Sequence, residues 1–447
     1  MCMKQKIDLP PVEEVVLPKL FNLRPGYYLL GLMILVVLLL IFLLGFLPGI
    51  RKGGRYVTFG APLSETGILL DGKYLGSATH QYFVPSGNHT IAYVKADQIY
   101  AETEIHVDHP VFLANLIHRT RVIPPPPVTL TEEETASIVS FLLNEVQEIS
   151  KSLEYPPQFP YQPVYANLHN DLEALQVKDK KTVVDLALSF ISNDTMKKEA
   201  EEFFSIEPKS APVRSGVQEL PPVGKPAVLT AGDLTIEGYS YKGTSFIMGD
   251  EITPQSGYAP VSTKDFVLAK RPVSQYEWAL FVQENPQWTK SSMKSSSYLA
   301  GLSLSPQFST NRPIYNVSYH AARAFVQWLG EKSGKEVFLP TEAMWSQAAY
   351  SQKHTEYDTS LALSERSVPL LGLLGGVWEM TDSHYIPNGR NAGYDRLQEL
   401  AETYGLGKQV IVKGGSMISK DVTIDSVGVI EPDSVHDYIG FRIGWFE

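Results

Sequence analysis

The first strong pattern is an absence of alternation. Residues 26–50, GYYLLGLMILVVLLLIFLLGFLPGI, carry no charge. A helix needs about 20 apolar residues to cross a bilayer core, and this stretch supplies them. Tyr27 and Tyr28 sit at one end, where amphipathic rings suit the interface. A cleaved signal peptide would carry a shorter apolar run, about 7–15 residues, behind a basic start. This run is longer, begins late and lacks a small-residue cleavage site, so a stable anchor is expected. Lys19 and Arg24 precede it; Arg51, Lys52 and Arg55 follow. The local cation count favours a cytoplasmic C-terminal side, a rule that weakens for long domains.

After the anchor the period falls to two. DGKYLG (71–76) opens on Asp-Gly, a hairpin signal, and PSGNHT (85–90) is a second turn cluster. Glu104 to Asp108 alternates, which predicts that Ile105 and Val107 face one way. His106 and His109 are too close in sequence to act together on a strand, where positions three apart point to opposite faces. Both are read as exposed structural histidines. Pro124 to Pro127 predicts a stiff spacer. Thr131 with Glu134 then makes a capping box, followed by Ile138, Phe141, Leu142 and Val146 at helical spacing. Leu172 to Leu175 and Val183 to Ile191 predict further helical pieces. Residues 205–228 read as a linker, rich in proline and serine.

The last 200 residues or so combine both periods. Ser274 with Glu277 predicts a capped helix burying Trp278, Phe281 and Val282. Ala322, Phe325, Val326 and Leu329 recur at helical spacing, with Gly334 at the exit. Thr341 is an N-cap with Glu342 in the first turn. Elsewhere the segment reads as loop-rich, with short apolar runs at 245–248, 410–412 and 439–445. All six tryptophans lie between Trp278 and Trp445, which marks a compact aromatic core.

Composition narrows the function. The 447 residues suffice for about two or three domains. A net charge of −11, with no basic stripe, argues against nucleic-acid binding. Cys2 is the sole cysteine, so no intrachain disulfide can form. It is read as an inert terminal thiol rather than a palmitoylation site.

Two resemblances organise these segments. DGKYLGSAT followed by VPSGNHTIAYVKA resembles the PEGA domain, a small β-sandwich of bacterial envelope proteins, over about 50 residues. It implies an interaction or spacer module without catalytic residues. It departs from that pattern at Ala96 to Tyr100, where Gly-Tyr is usual. The co-linear motifs SFIMGDE (245–251), KRPVSQYEWALFV (270–282), RPIYNVSYHAARAFVQWL (312–329), FLPTEAMW (338–345), GGVWEMTD (375–382), VKGGS (412–416) and GFRIG (440–444) resemble the formylglycine-generating enzyme, or sulfatase-modifying factor, family. That resemblance implies an α+β C-type-lectin-like fold with a shallow groove near the Trp of GGVWEM and the Ser of KGGS. Trp378, Ser416, Ser419 and Arg442 are the residues expected to line it.

Family enzymes oxidise a substrate cysteine with two copper-binding cysteines after the Gly-Gly-Ser turn. Extending the motif, those positions fall on Ser419 and Ile424. Thiolates select Cu(I); a hydroxyl is a poor ligand for it and a hydrocarbon none. Calcium-binding asparagines of the family fall on Gly372 and Gly376, leaving Glu379, whereas calcium takes about six to eight oxygens. No metal or cofactor is therefore expected. Iron-binding histidines that one relative draws from a helical domain have no counterpart, since His169 is the lone histidine of residues 124–228. His384 near Asp382, and His436 beside Asp437, could form acid–base pairs but are read as loop hydrogen bonds. His320 and His354 complete the histidines of this domain. Glu379 with Arg442 is read as a buried ion pair.

The whole predicts a multi-domain chain: a tail (1–25), a transmembrane helix (26–50), a PEGA-like β-sandwich (51–108), a Pro-rich linker and helical region (109–228) and a sulfatase-modifying-factor-like domain (236–447). The expected role is non-catalytic binding or scaffolding in a bacterial envelope, with partners among other envelope proteins. The expected location is the inner membrane, single-pass, with the N-terminus cytoplasmic and the bulk periplasmic. Two other readings stand beside it: a metal-dependent oxidase or other enzyme with a rebuilt site on the same fold, and a partner-recruiting helical middle region capped by the C-terminal domain.

Overall fold

A computed structural model of the chain describes residues 24–51, 53–109, 120–151, 163–206, 218–250, 257–307, 310–352, 357–362, 368–386 and 393–447. Cys2, Lys19, Lys52, His354 and much of the linker at 205–228 lie outside the described residues. The chain divides into two compact units, 1–130 and 131–447.

The first unit opens with α1 (Pro25–Ile41), a π turn over Phe42–Phe46 and α2 (Leu47–Arg51). Leu47 N–H reaches back five residues to the Phe42 carbonyl. The sequence supplies the cause: Pro48 has no N–H for the carbonyl four residues earlier, and a one-residue register slip absorbs the gap. The span Pro25–Phe46 is long and apolar enough to cross a membrane.

The strands follow directly: β1 (Gly54–Phe59), β2 (Gly67–Leu70), β3 (Lys73–Ser77), β4 (Gln81–Pro85), β5 (Gly87–Lys95), β6 (Gln98–Val107) and β7 (Thr120–Ile123). They form a sheet ordered β4-β1-β7 and another ordered β3-β2-β5-β6. Asp71 and Gly72 turn the β2–β3 hairpin with φ 50° and 76°, the left-handed geometry such a turn needs. The second turn is shorter than expected. Only Ser86 separates β4 from β5, and there the chain passes from one sheet to the other. Ile105 and Val107 are buried and His106 exposed, as the alternation requires. The imidazole of His106 bonds Asn88, and that of His109 bonds the Gly49 carbonyl. Because β7 pairs in parallel with β1, this unit extends well beyond Asp108.

The second unit begins with helices α3 (Glu132–Lys151), α4 (Val164–Ala174), α5 (Lys180–Ser189) and α6 (Asp194–Phe203). The Thr131–Glu134 box is present in both directions. Ile138, Leu142 and Val146 are buried, but Phe141 is 39% exposed; Val139 and Leu143 take the inward positions. The helices belong to the same unit as the C-terminal fold. Ser140 donates to the Tyr404 carbonyl and Asn144 to that of Gly405, so α3 caps the exit of α10 (Tyr394–Tyr404).

The C-terminal fold starts earlier than residue 236. Strand β8 (Pro226–Ala231) pairs with β9 (Leu234–Tyr241) at one edge of a five-stranded sheet, with β12 (Phe266–Ala269), β20 (Gly444–Trp445) and β13 (Val337–Phe338). Hairpin β10 (Ser245–Met248)–β11 (Ala259–Ser262) stands apart. A second sheet, ordered β18-β17-β16-β19, joins Val427–Ile430, Gln409–Lys413, Trp378–Tyr385 and Ile439–Phe441. Helices α7 (Gln275–Glu284) and α9 (Glu342–Ser351) carry the predicted caps at Ser274 and Thr341, and α8 (Tyr319–Ser333) carries one at Ser318 that was not anticipated. The apolar faces of α7 and α8 meet in one aromatic core, where Trp278 stacks on Phe325 at 5.6 Å and meets Phe441 edge-on, while α9 packs Trp345 into a second cluster with Phe266 and Leu373.

Candidate functional site

The site is built on a buried frame. Glu379 lies on β16 and Arg442 just after β19, and neither is exposed to solvent. The guanidinium donates from Nε and Nη2 to the two carboxylate oxygens at 2.9 and 2.7 Å. It also donates to the carbonyls of Ala269 (2.8 Å) and Leu371 (2.7 Å). Trp345 Nε1 gives the carboxylate a third donor at 2.9 Å. A buried pair survives desolvation only when its remaining hydrogen-bonding capacity is met, and here it is. Arg442 thereby ties β16, the end of β12 and the segment before β15 (Leu374–Gly375) to the end of β19, and Glu379 adds α9 through Trp345.

A second buried pair lies close by. Lys413, at the end of β17, is 3.5 Å from Glu342, which also accepts the Tyr394 hydroxyl. The Lys413 ammonium sits 5.6 Å from the Trp345 ring centroid. Glu342 sits in the first turn of α9 as expected and is in addition a buried anchor.

Above this frame runs the turn. Gly414 has φ 90°, and a Cβ there would lie 2.4 Å from the Leu373 carbonyl oxygen. Gly414 returns its own carbonyl to Gly375 N–H at 2.9 Å. Only glycine permits that approach. The chain then closes on itself. Ser419 Oγ accepts from Ser416 N–H at 3.0 Å and lies 3.0 Å from Ser416 Oγ. Ser419 N–H donates to the Ser416 carbonyl at 2.9 Å. The Tyr357 hydroxyl donates to the carbonyls of both serines. Ile424 turns away and packs against the cluster around Trp345, Phe266 and Leu373.

A depression of about 410 Å³ opens beside this turn, lined by Trp378, Ser416, Ile418, Ser419, Val429 and Tyr438, among others. Three of the four expected residues thus come together. Arg442 does not: it is fully buried, held in the frame. Guanidinium burial is possible there because four acceptor atoms surround it. Tyr438 and the 64%-exposed Ile418 were missed. Tyr438 adopts φ 61°, a strained value for a bulky residue, and Tyr315 stacks on it at 6.1 Å. The only sequence signal was its place just before GFRIG.

The histidine pairs dissolve into loop hydrogen bonds. His384 Nδ1 bonds the Gly407 carbonyl, while Asp382 accepts from Tyr319. Burial and the neighbouring Asp382 push the Tyr319 phenol above its usual range, so it stays a donor. His436 bonds Ser434, and Asp437 accepts from Asn316. His320 lies 3.4 Å from Asp433 at the surface. Gly372 and Gly376 offer no side-chain oxygen, and Glu379 is committed to Arg442 and Trp345. This donor set fits neither copper nor calcium: at the turn it offers a hydrogen-bonded hydroxyl and a packed hydrocarbon. A second depression, of about 420 Å³, is lined by Glu237, Lys270, Arg271 and Glu277. Its charges are paired with each other, Lys270 with Glu237 and Arg271 with Glu277.

Residues 230–371 match the family described as the Sulfatase-modifying factor enzyme 1-like domain. The matched span ends just before the GGVWEM strand and the KGGS turn. No curated protein matches the chain. Solved structures to which it is similar include Treponema denticola variable protein 1 and PvdO from Pseudomonas aeruginosa. Each has 16% identity and a TM-score of 0.37, covering 49% of this chain and 98% of the other. CarF follows at 16% identity and a TM-score of 0.32, covering 47% and 98%.

Proposed function

We propose that this chain is a single-pass membrane protein of a bacterial envelope that binds or scaffolds other envelope proteins. A PEGA-like module follows its anchor, and a non-catalytic domain of the formylglycine-generating type ends it. The observation that carries the reading is the chemistry of the turn. Where the resembled enzymes place copper thiolates, Ser419 bonds its hydroxyl to Ser416, and the half-buried Ile424 packs against the core. The scaffold persists beneath a surface that has exchanged reactive groups for aromatic and aliphatic contacts. Ligand contact is assigned to the depression at Trp378, Ile418 and Tyr438, the exposed part of the turn region. The N-terminus is placed in the cytoplasm and the two modules outside.

The test is capture of partners by the full-length chain from membranes in mild detergent, alongside Ile418→Asp and Trp378→Ser. The reading expects a stoichiometric partner with the wild type that is lost with both variants. Absence of any such partner, or equal capture by the variants, contradicts it. A reporter fused after Glu447 is expected to be active outside the cytoplasm.

A further inference from the structure

The outer face of the β4-β1-β7 sheet has a composition unlike most of this acidic chain. Side chains alternate across a strand, so Tyr56 and Thr58 of β1, Gln81 and Phe83 of β4, and Thr120 and Val122 of β7 share one side. None of these six is charged. Tyr56 pairs with Phe83 in register, and Thr58 with Val122. The Tyr56 and Phe83 rings meet edge-on at 5.6 Å. Gln81 reaches across to Thr120 at 3.1 Å. Val122 is 68% exposed and Tyr56 37%.

This face begins at the foot of the apolar helix. Gly54, the first residue of β1, lies three positions after Arg51. The Phe83 ring covers it so closely that a Cβ there would sit 2.6 Å from Cζ. His109 binds the Gly49 carbonyl at 2.7 Å, and Asp108 pairs with Arg55 at 3.0 Å, fixing the β6 end to the same place. Pro25–Phe46 has 22 residues, about 33 Å of helix, which matches a hydrocarbon core of about 30 Å. Leu47–Arg51 and the start of β1 then fall at headgroup level.

We propose that this face rests on the lipid headgroup interface of the bilayer its own helix crosses, an inference that rests on the membrane reading above. Tyr and Phe at the edge and uncharged hydroxyl and amide groups around them match the chemistry of that zone. The contact would hold the first unit against the membrane surface.

The test uses the full chain with Cys2→Ser, reconstituted in phosphatidylethanolamine–phosphatidylglycerol vesicles containing lipid spin-labelled high on the acyl chain. Single cysteines at Leu35→Cys, Val122→Cys and Tyr74→Cys carry an environment-sensitive fluorophore. Tyr74, on β3 of the other sheet, is 72% exposed. We expect quenching and a blue shift at 35 and 122, and neither at 74. Quenching at 35 but not at 122 overturns the face assignment and leaves the anchor. No quenching at 35 overturns both. A label at 122 shielded from lipid quencher and from aqueous iodide alike assigns the face to a second copy instead and also overturns it.

Discussion

The frame under β16 and the turn above it differ in what they can tolerate. In the frame, the charges of Glu379 and Arg442 are out of water and answered by named partners. Removing one partner strands another. In the turn, hydroxyls bond each other and backbone carbonyls, next to an open depression. Removing one leaves water free to replace it. The first arrangement resists substitution; the second tolerates it and keeps its shape. A Gly-Gly-Ser turn can therefore stand with Ser419 and Ile424 at the positions that follow it.

The sharpest way to break this contrast is Arg442→Met. It leaves the Glu379 carboxylate buried with Trp345 alone, and a loss of about 3–5 kcal/mol is expected by chemical denaturation. A loss below about 1 kcal/mol, the scale of a surface pair, would erase the distinction. Next comes Gly375→Ala. Its φ is 81° and its new Cβ would lie 2.1 Å from the Asp358 carbonyl oxygen. Backbone strain of this kind costs about 1–3 kcal/mol, read as a lowered unfolding midpoint. Ile424→Ala should cost about 1–2 kcal/mol, at or below the low end for a buried aliphatic side chain, because Ile424 is half-buried against the core. A neutral result would mean that the side chain has no packing role. Ser419→Ala should cost about 1 kcal/mol, one or two exchanged hydrogen bonds, because Tyr357 still holds the carbonyls of the turn. Near-zero change is expected for Ile418→Ser, within about 0.5 kcal/mol, although the same position is expected to matter for binding.

Much of this was legible where the cause is local. Capping boxes at Thr131–Glu134 and Ser274–Glu277, the Asp71-Gly72 hairpin and the alternation at Ile105 and Val107 need only neighbouring residues. The motif order also pointed to the depression through Trp378, Ser416 and Ser419. What escaped depends on distant partners. Phe141 has the right spacing, but where α3 packs is decided by α4, α5 and α10. Pro226 reads as linker from the proline and serine richness of 205–228, yet proline can begin an edge strand, as it does in β8. Helix α6 buries only Met196 and Ala200, too few apolar residues to show a period. The pairing of Arg442 with Glu379 was legible, but its withdrawal from the groove follows from carbonyls of Ala269 and Leu371, far away in sequence. Tyr438 gains its meaning from Tyr315 and from a backbone angle that composition does not reveal.

The proposed function requires that this turn, with Ser419 and Ile424 after it, supports no thiol-dependent copper oxidation. Its most direct test is aldehyde formation on a cysteine-containing peptide by the purified full-length chain, supplied with copper and oxygen beside an active formylglycine-generating enzyme. The account predicts aldehyde from the active enzyme and none from this chain. Aldehyde that accumulates with this chain in proportion to added copper would contradict it.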